Sequence, residues 1–202
     1  MTLQKDRDKS LIRLKDNFFK TDLDLNLKNI LINNLYINSF LYRLMLILFG
    51  FKVGKNSNFK GPINFILNGP IKNIEFGDYI LFGKNITLKI RENGKIKFHD
   101  KVYLDNNVRL VAAREGLIEI NEGTHIGANT IINSGGIVKI GKYCLISNNC
   151  NINSSSHGTK KSNYIKDQPH SHGITLIEND VWLGGFVSIA KDSNIGEGAI
   201  IG

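Results

Sequence analysis

The chain has 202 residues, enough for one domain or one domain with an appendage, and its 42% hydrophobic content supports a packed core. Twenty glycines against three prolines speak for many tight corners rather than disorder. The two cysteines, Cys144 and Cys150, make no disulfide framework and point to a reducing compartment, and the polar stretch Met1 to Ser10 does not read as a secretory signal.

The formal charge is +8 and is unevenly placed: residues 1–60 hold eleven Lys and Arg against five Asp. A basic front end is attracted to anionic surfaces. Residues 10–50 read as helical, because apolar residues recur without period-two alternation and glycine and proline are absent until Gly50. The segment FLYRLMLILF, Phe40 to Phe49, is strongly apolar but too short and broken to cross a bilayer. Two readings stay open for it. It packs onto the domain that follows or onto another subunit, or it lies in a membrane interface beside anionic headgroups.

From residue 51 the texture changes to a six-residue beat. Ile177, Leu183, Ile189, Ile195 and Ile201 recur without slip, and small residues follow four places after the first four, at Val181, Val187, Ser193 and Ala199. The same beat runs through Ile140, Ile146 and Ile152, with Cys144, Cys150 and Ser156 in the small slots, through Ile120, Ile126 and Ile132, and through Phe98, Leu104 and Leu110. A period of six suits a solenoid of triangular coils with one hexad per side, so that eighteen residues complete a turn. The large aliphatic residue points inward and stacks on its equivalent in the next coil. The cysteines then serve as small hydrophobes.

These hexads resemble those of the hexapeptide-repeat acyltransferases, over residues 51–202. The likeness is strongest in GITLIENDVWLGGFVSIAKDSNIGEGAIIG, and LMLILFGFKVGKN resembles the helix-to-first-coil junction of sugar and polysaccharide O-acetyltransferases. The resemblance implies an all-β solenoid, a left-handed parallel β-helix over 51–202, preceded by a basic helical segment over 1–50. It also implies a homotrimer with active sites between subunits. The family normally continues past the equivalent of Gly202, so a further coil and tail are expected there.

The repeat breaks at INSSSHGTKKSNYIKDQPHSHGITL, Ile152 to Leu176, which holds three of the five histidines. In the family a loop leaves the solenoid beside the active site, and a histidine near its start is the catalytic base. In the galactoside and maltose acetyltransferase branch this histidine lies between an I-G pair and the tryptophan of V-W-I-G. His157, between Gly141 and Trp182, holds that place and is the catalytic candidate. A sugar hydroxyl is a poor nucleophile until its proton is removed, and imidazole, with an ordinary pKa of about 6.5, is largely neutral at cytoplasmic pH. Asn133 is the substrate-binding candidate, though asparagine also suits solenoid corners. Trp182, expected to face outward, resembles the family's tryptophan beside coenzyme A, and Gly184 and Gly185 are candidate cofactor-binding positions whose amides could face a thioester oxygen. His125 reads as exposed or trimer-facing, His170 and His172 as loop surface or as lining the acceptor site, and His99 as carrying no motif.

The implied reaction is acetyl transfer from acetyl-coenzyme A to a hydroxyl of a sugar or surface polysaccharide precursor, with no metal. N-acetylation of an amino sugar uses the same base and donor. A β-helix that only binds or scaffolds is the non-enzymatic alternative. A carbonic anhydrase of this fold needs histidines on neighbouring coils, and here they cluster in one loop. The expected location is cytoplasmic, with residues 1–50 able to meet the inner face of an anionic membrane. Nucleic acid is not an expected partner.

Overall fold

A computed structural model describes residues 38–161 and 163–202. The rest of the expected N-terminal helical segment lies outside the described residues. The described chain is a parallel β-solenoid of about seven turns. Two faces have seven strands each and the third has six, every one parallel to its neighbours in the next coil. The first face runs from Lys52–Val53 to Asn194–Ile195, the second from Asn58–Phe59 to Ile200–Ile201, and the third from Asn64–Asn68 to Ser188–Ile189.

Within each strand, burial alternates as the sequence pattern requires. Ile120, Ile126, Ile132, Ile140, Ile146, Ile152, Ile177 and Leu183 all stack inward and are buried. Cys144 and Cys150 are buried and free, and burial pushes both thiols up from their ordinary pKa.

The coils are not all built from three hexads. Lys52 pairs with Glu75, 23 residues on; Leu81 with Tyr103, 22 on; His125 with Leu145, 20 on; and Trp182 with Ile200, 18 on. The expected 18-residue turn therefore describes only the last complete coil. The surplus collects at one corner, between the third face and the next first face, where Gly69–Asn73 shrinks to Gly135–Gly136 as the solenoid advances. The core adjusts to match. Phe59, Phe65, Phe76, Phe82 and Phe98 fill the wide coils with ring contacts of 4.6–6.1 Å, shared with Phe51. The narrow coils are filled by aliphatic residues and cysteine. Gly136 lies where the tightest corner meets the next coil: a Cβ there would sit 2.2 Å from the Gly173 carbonyl oxygen.

Two side-chain ladders hold neighbouring coils in register. Asn85, Asn107, Asn129 and Asn149 occupy left-handed backbone at successive copies of one corner. Asparagine tolerates that conformation better than most residues. The Asn85 amide donates to Asn107 Oδ1 at 3.1 Å, and Asn107 donates to Asn129 at 3.0 Å. On the first face, Lys52, Glu75, Lys97, Glu119 and Lys139 stand directly above one another with alternating charge. Such cross-strand pairs contribute roughly 0.2–1 kcal/mol each.

Helix α1, Ser39–Leu48, closes the first coil. Asn38 caps it by accepting from the Leu41 N–H, and Gly50, at φ +96°, turns the chain out of it. Its inner face buries Tyr42 and Leu46 completely. The Ser39 hydroxyl accepts from the Phe59 N–H at 2.8 Å and the Tyr42 hydroxyl from the Ile63 N–H at 2.8 Å. Those amides point away from the second coil, so the helix provides acceptors that no other described coil supplies. Much of the apolar stretch Phe40–Phe49 is thus used in packing, while Phe40 stays 71% exposed. Among the described residues, no helix is long and apolar enough to cross a membrane.

Candidate active site

The interruption after Ile152 folds into an antiparallel hairpin. Strand Ser155–His157 pairs with His170–His172, bringing Ser155 opposite His172 and His157 opposite His170. The chain leaves the third face after Asn151–Asn153 and rejoins the first face at Ile174. Ser156, expected in an inward small slot, is instead exposed on the hairpin, and Ser154 is buried in its stead. The cause is the departure of the chain, which shifts the last inward residue two places earlier. Tip residues are tied back by Gln168, buried, whose side chain accepts from the Lys160 N–H at 2.8 Å and donates to the Lys160 and Asn163 carbonyls.

His157 is exposed, four residues beyond Asn153, where the third-face strand ends. Its ring lies 4.1 Å from that of His170. His170 and His172 are not featureless loop surface. Together with Asn133, Ser155, Arg91 and Arg114 they line a cleft of about 210 Å³. Asn133 sits mid-strand, not at a corner, facing outward between Val111 and Asn153. Its amide donates to Asn153 Oδ1 at 3.1 Å.

His172 is the most constrained of the three histidines. Its Nδ1 lies 3.0 Å from Ser155 Oγ, which itself accepts from the Gly135 N–H. Burial first, then the positive charge of Arg114, His170 and Lys191, pull the His172 pKa below its ordinary value. Its Nε2 is buried and, among the described residues, has no hydrogen-bond partner.

Trp182 lies on the second face, and Gly184 and Gly185 follow in the corner that leads to the third. Trp182 faces outward as expected, and its indole N–H donates to Ser147 Oγ at 3.2 Å. With Gly185, Phe186, His125 and Asp105 it lines a separate cleft of about 490 Å³. The Gly184 N–H donates to the Ile201 carbonyl at 2.7 Å and belongs to the solenoid ladder. Gly185 is more open: a Cβ there would first meet the Asn148 carbonyl oxygen at 3.7 Å. Phe186 takes the left-handed corner that asparagine fills in earlier coils and is 80% exposed. A bulky residue is unfavourable in that conformation. His125 is half-buried, with its ring 4.1 Å from Tyr103, and burial lowers its pKa. His99 pairs with Glu119 at 3.0 Å.

One chain thus brings His157, His170, His172 and Asn133 together and keeps Trp182 and Gly185 apart from them. The two clefts share no residue. Arg91, Arg114, Ser155 and Phe186 were not singled out from sequence. The arginines carry no motif of their own and meet the hairpin only because coils of 22 and 20 residues stack them there. Among the described residues, no three His, Cys, Asp or Glu side chains are grouped to hold a metal ion.

No protein family matches the chain by its sequence profile, and no curated protein matches it in sequence. Solved structures do resemble it. The polysialic acid O-acetyltransferase OatWY is 19% identical, with 75% of each chain covered and a TM-score of 0.48. The polySia-specific acetyltransferase NeuO is 23% identical over 75% of this chain and 74% of its own, with a TM-score of 0.41. A point variant of AntD, an N-acyltransferase from Bacillus cereus in complex with dTDP-4-amino-4,6-dideoxyglucose and coenzyme A, is 18% identical over 83% and 78%, with a TM-score of 0.47. At these values the chemistry of this chain has to be read from its own residues.

Proposed function

We propose that the protein is an acetyl-coenzyme A-dependent O-acetyltransferase acting on a sugar or surface polysaccharide precursor, with His157 as general base. The observation that carries this reading is the placement of His157. Its backbone is paired in a hairpin rooted in the third face, its ring is open to solvent, and its neighbour His170 borders a polar cleft. A base for acyl transfer needs that combination of fixed backbone and accessible ring.

His157 accepts the proton of the acceptor hydroxyl as its oxygen attacks the thioester carbonyl. The tetrahedral intermediate then collapses, the carbon–sulfur bond breaks, and the imidazolium returns its proton to the leaving thiolate. Asn133 positions the acceptor. Trp182 and Gly185 border the donor, and the Gly185 amide is the better candidate for the developing oxyanion, since that of Gly184 is spent within the sheet. Thiol release from acetyl-coenzyme A in the presence of a panel of sugars tests the reading. Release above the hydrolysis background with at least one hydroxyl acceptor is expected. Release with amino sugars alone would replace O- by N-acetylation, and none at all would leave a binding scaffold.

Separation of the two clefts favours a homotrimer in which the Trp182 edge of one subunit faces the His157 hairpin of the next. Leu145, Trp182 and Ile200 stand in one row on the second face and are 54%, 48% and 69% exposed. An apolar row of that kind is suited to cover by another copy. Light scattering should therefore give a trimer. Leu145→Glu should shift it to monomer and abolish thiol release, and a fully active monomer would defeat the shared site.

The basic segment 1–50 is proposed to add a peripheral contact with anionic membrane. Vesicles containing phosphatidylserine should bind the full chain and release it as salt rises. Equal binding to neutral vesicles would remove the electrostatic part.

A further inference from the structure

Most acid–base pairing on this solenoid is local. Lys52 pairs with Glu75, Lys101 with Glu122 and Lys139 with Glu119. Arg43 donates to the Gly54 carbonyl beneath α1. Arg91 and Arg114 depart from this. Both line the 210 Å³ cleft under the hairpin, and no carboxylate lines it with them. Among the described residues, neither guanidinium is in an ion pair. The carboxylates of the same corner, Glu92 and Glu115, are engaged instead by the Arg114 backbone N–H and the Asn93 amide.

A third polar side chain, His172, lines the same space. Ser155 Oγ accepts from the Gly135 N–H and lies 3.0 Å from His172 Nδ1, which holds the ring in place at the cleft wall. His172 Nε2 is buried and, among the described residues, without a hydrogen-bond partner. Two guanidiniums in one cleft with histidine and no carboxylate among the lining residues describe a site for an anionic oxygen group. Guanidinium binds carboxylate and phosphate alike, in a fork of parallel hydrogen bonds.

We propose that the Arg91–Arg114–His172 cleft binds an anionic group of the acceptor, a sugar carboxylate or a phosphate ester, and so selects acidic sugars over neutral ones. The proposal rests on the acetyl-transfer reading for the word acceptor, and on the cleft alone for the anion. His170 lies between the cleft and His157, so a sugar anchored by its anion is held beside the base.

Calorimetric titration of the full chain separates the possibilities, with D-glucuronate, glucose 6-phosphate and glucose as probes. At least one of the two anions should bind about 10-fold or more tightly than glucose, the better one naming carboxylate or phosphate as the group recognised. Arg114→Gln and Arg91→Gln should each weaken that anion about 10-fold, the scale of one charge-assisted hydrogen bond. Arg114→Lys should recover part of the loss, since it keeps the charge without the fork. Equal affinity for all three probes, or an anion affinity unmoved by both glutamine variants, overturns the proposal. Circular dichroism keeps the variants comparable, because both side chains are exposed. The two readings fail separately. Anion binding without thiol release would remove acetyl transfer and leave the cleft. Thiol release without anion selectivity would remove the cleft and leave acetyl transfer.

Discussion

His157→Ala is expected to lower kcat for acetyl transfer by about 10²-fold or more, the range a positioned general base contributes. Its ring is exposed and its contact is the ring of His170, so the fold should not depend on it. Affinity for acetyl-coenzyme A should be nearly unchanged, because Trp182 and Gly185 line a different cleft. His170→Ala and His172→Ala should lower kcat much less and act mainly through acceptor KM. Steady-state kinetics on the best acceptor, with circular dichroism of each variant, makes the measurement. Near-normal turnover by a folded His157→Ala protein would sink the assignment. So would a loss in His170→Ala equal to that in His157→Ala, since the base would then be the wrong member of the pair.

Tyr42→Ala is expected to be the most damaging single change outside the site. Tyr42 is fully buried, packs edge-on against Phe59 at 5.6 Å, and accepts from the Ile63 N–H. Truncating a buried aromatic costs about 3–5 kcal/mol. The orphaned amide adds about 1–3 kcal/mol unless water reaches it. Tyr42→Phe isolates the second effect, since it keeps the ring and removes the acceptor. Urea titration should rank wild type above Phe above Ala. Equal midpoints for wild type and Phe would show that the capping hydrogen bond contributes nothing. A wild-type midpoint for Ala would mean that α1 does not close the solenoid.

The two predictions draw on different kinds of legibility. His157 could be chosen from sequence because the break in a strict period is itself visible, and the family likeness places a base there. The role of Tyr42 could not. FLYRLMLILF reads equally well as a packed helix or an interfacial one, and the choice depends on whether the first coil presents unpaired amides that side-chain oxygens can reach. His172 was undervalued for a related reason. PHSHG looks like surface loop, yet hairpin pairing with Ser155–His157 carries one of its histidines under cover and leaves the other beside the base.

By itself the sequence determined the solenoid, the inward rows of Ile and Leu, the outward direction of Trp182, the small slots of the two cysteines and the location of the interruption. Each follows from local periodicity, since a strand alternates faces whatever lies in the next coil. Tertiary structure alone decided how many residues make a turn. Extra residues at one corner leave the local alternation intact, yet they change which side chains stand above one another. That spacing sets the Lys–Glu ladder on the first face, puts Arg91 and Arg114 with His172, and parts Trp182 from His157. Contacts between residues about twenty apart in a solenoid depend on coil length, and coil length is fixed by how the wide, phenylalanine-filled end tapers to the narrow, aliphatic one.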